Sequence, residues 1–144
     1  MRSELTSKDE IEADSLTKKV IGLAIELHRA LGKGRREQVY KEALERVLCA
    51  EGLDVETERE FDVEVAGCNV GKIAVDLWIE DELIVELKVV RHLRDEHLDQ
   101  LGRYVETADI CRGLLLNFGE GRLRIQRFTN FDAPVPRSIL RTLE

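Results

Sequence analysis

Leu83-Ile84-Val85-Glu86-Leu87-Lys88-Val89-Val90 is the stretch on which the reading of this chain turns. Six of its eight residues are aliphatic, and it follows Glu80-Asp81-Glu82, so it reads as a central strand buried on both faces. Taking an unpaired carboxylate or ammonium out of water costs several kcal/mol even after relaxation, so Glu86 and Lys88 need compensating partners there. Side chains two apart on a strand share a face. Glu86 and Lys88 therefore point one way, and Leu83, Val85, Leu87 and Val89 the other.

The neighbouring run, Val70 to Ile79, supplies a third charged group. A hairpin centred on Asp81 sets Asp76 directly across from Glu86, with cross-strand partners about 5 Å apart. Two carboxylates so placed repel unless something positive lies between them. Mg2+ is the hard cation that takes a few carboxylates and fills its remaining positions with water or phosphate oxygen. The alternative, a solvated edge hairpin whose charges face water, conflicts with how apolar the flanking residues are.

Working outward, Leu16, Val20, Leu23, Ala24, Leu27 and Leu31 recur at helical spacing, which predicts a helix over Ser15 to Leu31 closed by Gly32. A second helix is predicted from about Arg36 to Ala50, burying Val39, Tyr40, Ala43, Leu44, Val47 and Leu48, with Gly52 just past its end. The period then changes to two, with Phe61, Val63 and Val65 alternating with acids, and Gly67 to Asn69 turns the chain into the next strand. Arg94 to Thr107 returns to helical spacing, and Gly113–Phe118 and Leu123–Phe128 form a last strand pair. A polar segment, 1–14, precedes these elements, and a tail from 130 to 144 follows them.

The chain has 144 residues, the size of one domain, with 43% hydrophobic and 35% charged residues. No apolar run is long enough to span a bilayer, and residues 1–14 have no apolar core of a secretory signal, so a cytoplasmic location is expected. Cys49, Cys68 and Cys111 are odd in number and widely spaced, which argues for reduced thiols and excludes a zinc ribbon, with Cys49 and Cys111 read as buried packing residues. The net charge of −7 counts against a nucleic-acid partner, yet the basic residues fall into three clusters: Lys33, Arg35 and Arg36; Lys88, Arg91 and Arg94; Arg122, Arg124 and Arg127. His28, His92 and His97 form no spaced ligand set, although His97 lies one turn before Gln100. Gly32-Lys33-Gly34 lacks the ending of a phosphate-binding P-loop.

Gly34-Arg35-Arg36-Glu37-Gln38-Val39-Tyr40 has the spacing GxxExxY. With Asp76, Glu86-Leu87-Lys88, and Gln100 followed by Tyr104, the chain resembles the GxxExxY proteins of the PD-(D/E)XK nuclease superfamily over about residues 16 to 128. The resemblance implies a single α/β domain with a restriction-endonuclease-like core, a mixed sheet flanked by helices. It implies that Asp76 and Glu86 bind Mg2+ or Mn2+, with Glu37 as a further acidic ligand or partner to metal-bound water. Lys88 would then orient or deprotonate the attacking water and stabilise developing charge. Gln100 and Tyr104, four apart on one helix face, become substrate contacts together with Tyr40 and Arg36, and Tyr40 also has a packing role open to it. Lys33 stands where the family's turn often has proline, and Ala74 where an arginine is common, departures that bear on substrate contacts more than on metal.

The implied activity is metal-dependent hydrolysis of phosphodiester bonds in nucleic acid, DNA foremost, with oligomeric state, a homodimer included, left open. The alternative is a nuclease-like binding module for nucleic acid or protein without catalysis. The net charge favours the module. The complete set of Glu37, Asp76, Glu86 and Lys88 favours the enzyme.

Overall fold

A computed structural model describes residues 14–133. The expected polar segment before Asp14 and the tail beyond Ala133 lie outside the described residues. Helix α1 (Ser15–Leu31) starts at Asp14, whose carboxylate accepts from the amides of Leu16 and Thr17, both at 3.0 Å. These are two of the donors that a first helical turn leaves without partners. The helix stops at Gly32, whose φ of 68° a side chain would oppose. Then come α2 (Glu37–Ala50), β1 (Val55–Val65), β2 (Cys68–Ile79), β3 (Leu83–Lys88), α3 (Asp95–Thr107), β4 (Arg112–Asn117) and β5 (Arg124–Thr129). This is the element order that the periodicity predicts, with β1 starting earlier, at Val55. Among the described residues no helix is long and apolar enough to cross a membrane.

The strands form one sheet in the order β1-β2-β3-β4-β5, antiparallel except where β3 lies parallel to β4. A parallel neighbour requires a crossover, and α3 provides it. The result is a mixed α/β sheet of restriction-endonuclease-like type. On one face α1 and α2 bury Val20, Ala24, Leu44 and Leu48 against Leu77, Leu83, Val85 and Leu87. On the other, Leu101 and Val105 of α3 cover Val75, Trp78, Ile84 and Leu115. Each fully buried aliphatic side chain contributes roughly 1.5–3 kcal/mol. The polar face expected of β3 is therefore apolar at its start, where Ile84 lies under α3, and charged only from Glu86 onward. Cys111 is buried as expected, but Cys49 is exposed. The buried stripe of α2 runs through Tyr40, Lys41, Leu44 and Leu48, and Cys49 turns off it.

Two close contacts set how the layers meet. A Cβ on Gly113 of β4 would lie 2.6 Å from Val105 Cγ2, and one on Gly102 of α3 would lie 2.8 Å from the Phe128 ring. At the outer end of β4, buried Arg112 places its Nε 2.9 Å from Asp14 Oδ2, off the hydrogen-bonding line, with Glu82 Oε1 3.9 Å from its Nη2. This buried ion cluster ties the start of α1 to the sheet.

The inner end of β3 is clasped by Asn117, which is wholly buried. Its Oδ1 accepts from Val90 N at 3.0 Å, and its Nδ2 donates to Val90 O at 2.9 Å. Gly119 passes so near that an added Cβ would lie 2.4 Å from Val90 O, a backbone atom that cannot swing aside. Gly119→Ala is therefore expected to cost about 1–3 kcal/mol in a urea melt; an unchanged midpoint and slope would show that the clasp yields freely.

Candidate functional site

Residues two apart on a regular strand belong to one face, yet Val75 packs under α3 while Leu77 packs under α1 and α2. β1 changes sides at the same level, since Val55 belongs with α1 and α2 and Phe61 with α3. The ladder pairs Thr57 with Leu77 and Arg59 with Val75. Glu58 and Asp76 stand between these pairs, and Glu58 has φ 52°, a left-handed conformation strained for a residue with a side chain. Asp76 thus sits where two long strands cross from one core to the other.

The break extends to β3. Backbone pairing runs Ile79↔Leu83, Trp78↔Ile84 and Leu77↔Val85, the register predicted from the turn, and then gives way to side chains. Asp76 N donates to Glu86 Oε1 at 3.2 Å, and Leu87 N donates to Asp76 Oδ2 at 2.8 Å. Each carboxylate is held by the opposite strand's backbone in place of a ladder rung. Glu86 is 5% exposed. Burial, then a carboxyl–carboxylate hydrogen bond with Asp76 and that residue's charge, push its carboxyl up to about 9.

Lys88 follows on the same face of β3, half-buried, and its Nζ donates to Gln100 Oε1 of α3 at 3.4 Å. Tyr104, four residues further along α3, has its hydroxyl pushed up by burial and then by the charges of Glu86 and Asp76. The helix therefore sets Gln100 on Lys88 and Tyr104 within electrostatic reach of the carboxylate pair. Glu37, the first residue of α2, is raised by burial and then by Asp76, while Lys88 and Lys41 pull it down. Glu37 is thus within electrostatic reach of Asp76, Lys88 and Lys41. Arg36 precedes it, exposed and without a side-chain capping bond.

Tyr40 is placed differently from a substrate contact. It is fully enclosed, its hydroxyl donates to Gly32 O and accepts from Arg35 N, and its ring stacks on Phe118 at 4.6 Å. It fixes the turn that delivers Glu37, the packing role left open to it from the sequence. His97 accepts from Arg94 N through Nδ1 at 3.0 Å, so that nitrogen caps α3.

Sequence reasoning missed Lys41 and Glu58. Lys41 is 7% exposed, is ion-paired with Glu58, and has its Nζ 3.8 Å from Asp76 Oδ1. Its signal was present, because it lies four after Glu37 and so shares that helix face. Glu58 was hidden. The pairs at the hairpin tip, Val65↔Cys68 and Glu64↔Asn69, extrapolate to Thr57 opposite Asp76, and only the shift between Val63 and Glu64 brings Glu58 level with it.

Among the described residues no group of three or more His, Cys, Asp or Glu side chains is gathered tightly enough to hold a metal ion. Of the three expected acids, Asp76 and Glu86 meet, while Glu37, exposed at the start of α2, is linked to Asp76 by charge alone. A pair of carboxylates, Glu86 buried and Asp76 partly so, each with one oxygen fixed by a backbone amide, still suits a hard divalent cation that completes its shell with water and phosphate oxygen.

The model of the PD-(D/E)XK nuclease superfamily matches residues 14–128. Among solved structures, the one titled "Crystal structure of SSO0001" aligns with a TM-score of 0.52 at 20% identity, covering 98% of this chain and 76% of that one. That likeness bears on the fold. No curated protein matches the sequence.

Two outcomes follow from these charges. Folded Glu86 keeps its proton up to about 9, while the unperturbed group releases it near 4.5. The folded state therefore binds more protons across that interval, and stability falls as pH rises through it. The melting temperature of metal-free protein should drop between pH 5 and 9, and Glu86→Gln should flatten the drop; a midpoint rising with pH contradicts the shift. Removing the ammonium beside Asp76 with Lys41→Met should tighten Mn2+ binding, on the order of tenfold, in calorimetric titration, and weaker binding would show that Lys41 supports the cation instead.

Proposed function

The chain belongs to the PD-(D/E)XK nuclease superfamily, and from that premise we propose that it is a divalent-metal-dependent nuclease of the GxxExxY branch, hydrolysing phosphodiester bonds in DNA within the cytoplasm. The observation that carries the reading is the reciprocal Asp76–Glu86 pair, with Lys88 next along the same strand face.

In this reading Asp76 and Glu86 hold Mg2+ or Mn2+, and Glu37 holds water beside it. The cation, when bound, lowers the pKa of its water and draws charge from the phosphate. Lys88 Nζ, steadied by Gln100 Oε1, orients or deprotonates the attacking water and offsets the charge that builds on the phosphate oxygens. Gln100 and the Tyr104 hydroxyl line the α3 side of the cleft and position the phosphate. Tyr40 acts through the turn it pins, and Arg36 faces outward where a strand of nucleic acid passes. Arg35, Arg36 and Arg91 are exposed and give the rim the local positive charge that a chain of net charge −7 needs in order to meet phosphate.

Linear and circular DNA with Mg2+ or Mn2+ test the reading. Wild type should cleave. Glu86→Ala should lose both Mn2+ binding and cleavage, whereas Lys88→Ala should keep Mn2+ binding and lose about 10²–10³-fold in rate, the scale of removing one group that stabilises transition-state charge. A wild-type protein that cuts neither DNA nor RNA with either metal, over a range of salt, would remove the proposal.

A further inference from the structure

Beyond the carboxylates, the rim of the sheet continues past Tyr40. Phe118, directly after β4, stacks on Tyr40 at 4.6 Å and packs its other neighbour, His28 of α1, at 5.7 Å. On the far side of His28 lies a hollow of about 630 Å³, walled by the last turn of α1 and by the loop between β4 and β5. Arg29 and Arg122 line it together with the backbone of Gly32 and Gly121. Both arginines are exposed, and among the described residues neither has an ion-pair partner. The loop's own acid, Glu120, is already engaged by Arg124 at 3.5 Å and by Asn117 Nδ2 at 2.8 Å. His28 is 4% exposed, and its Nε2 has no hydrogen-bond partner.

The chemistry of these walls selects the ligand. Two guanidinium groups without carboxylate partners match the oxygens of a phosphate, which they grip bidentately. The one ring at the hollow, His28, is buried against Phe118, so no exposed aromatic face is offered for stacking a base. Position matters as well, because His28 and Phe118 lie in turn between the hollow and Tyr40, which fixes the turn leading to Glu37. We propose that Arg29 and Arg122 form a phosphate subsite that grips the backbone of the nucleic acid away from the bond being cut. This rests on the nuclease reading and extends its groove around the end of α1, on the side opposite α3.

The test compares wild type with the Arg29→Gln/Arg122→Gln double variant in binding a DNA duplex and a single-stranded RNA of equal length, without divalent metal, from 50 to 200 mM salt. Losing two phosphate contacts should weaken binding by about tenfold or more and reduce the slope of log affinity against log salt by about two. Arg46→Gln, an exposed charge change on α2, should leave that slope alone, which separates a local contact from net charge. Mn2+ affinity of the double variant should match wild type, showing an intact fold and carboxylate pair. An unchanged slope overturns the subsite. In a parallel arm, inorganic phosphate is titrated while the imidazole resonances of His28 are followed by NMR. A His28 response to inorganic phosphate with no change in the salt slope would identify a free-anion site and overturn the groove. If wild type binds neither polymer here and also cuts neither with Mg2+ or Mn2+, the nuclease reading fails, and the phosphate titration alone judges the hollow: a response lost in the double variant keeps an anion site there, and no response removes it.

Discussion

Where β2 and β3 part, two carboxylates take over the work of backbone rungs. Asp76 Oδ2 accepts from Leu87 N, and Glu86 Oε1 accepts from Asp76 N. The exchange solves two problems together. It satisfies amides that would otherwise be buried without partners, each worth about 1–3 kcal/mol, and it fixes two acids in a place where water is scarce. Burial first, and then the hydrogen bond and the charge of Asp76, hold the Glu86 carboxyl up.

The remaining charges are arranged around that pair. Lys88 approaches from the same strand and Lys41 from α2, each moderated by a partner of its own, Gln100 and Glu58. Neither lysine cancels Glu86. A divalent cation bound here would displace the Glu86 proton, and a hard ion that keeps several waters needs few protein ligands to do so. The strained Glu58 backbone belongs to the same economy, because straightening it would withdraw the group that restrains Lys41.

Much of this was legible in the sequence. The apolar run around Glu86 and Lys88 marked the central strand, and the position of Asp81 gave the hairpin register, because that turn connects its strands without an irregularity. Helical spacing placed Gln100 and Tyr104 on one face. Apart from Cys49, which turns off the buried stripe of its own helix, what failed shares one cause, long-range geometry that local pattern does not encode. The hairpin of β1 and β2 carries a register shift, so Glu58 had no visible partner. The change of sides at Asp76 breaks the alternation on which strand reading depends. Asn117 looked like an ordinary end of strand, and its bonds to Val90, 27 residues earlier in the chain, could be known only from the parallel pairing.

Gly102 within α3 and Gly113 beneath it gauge how closely the helix lies on the sheet. At Gly113 the side chains of Leu101 and Val105 come down onto bare backbone, and at Gly102 the helix backbone meets the Phe128 ring. A bulkier residue at either place acts as a shim, lifting one end of the helix. Such a shim would shift Gln100 and Tyr104 relative to the strand that carries Glu86 and Lys88 while every charged group keeps its identity.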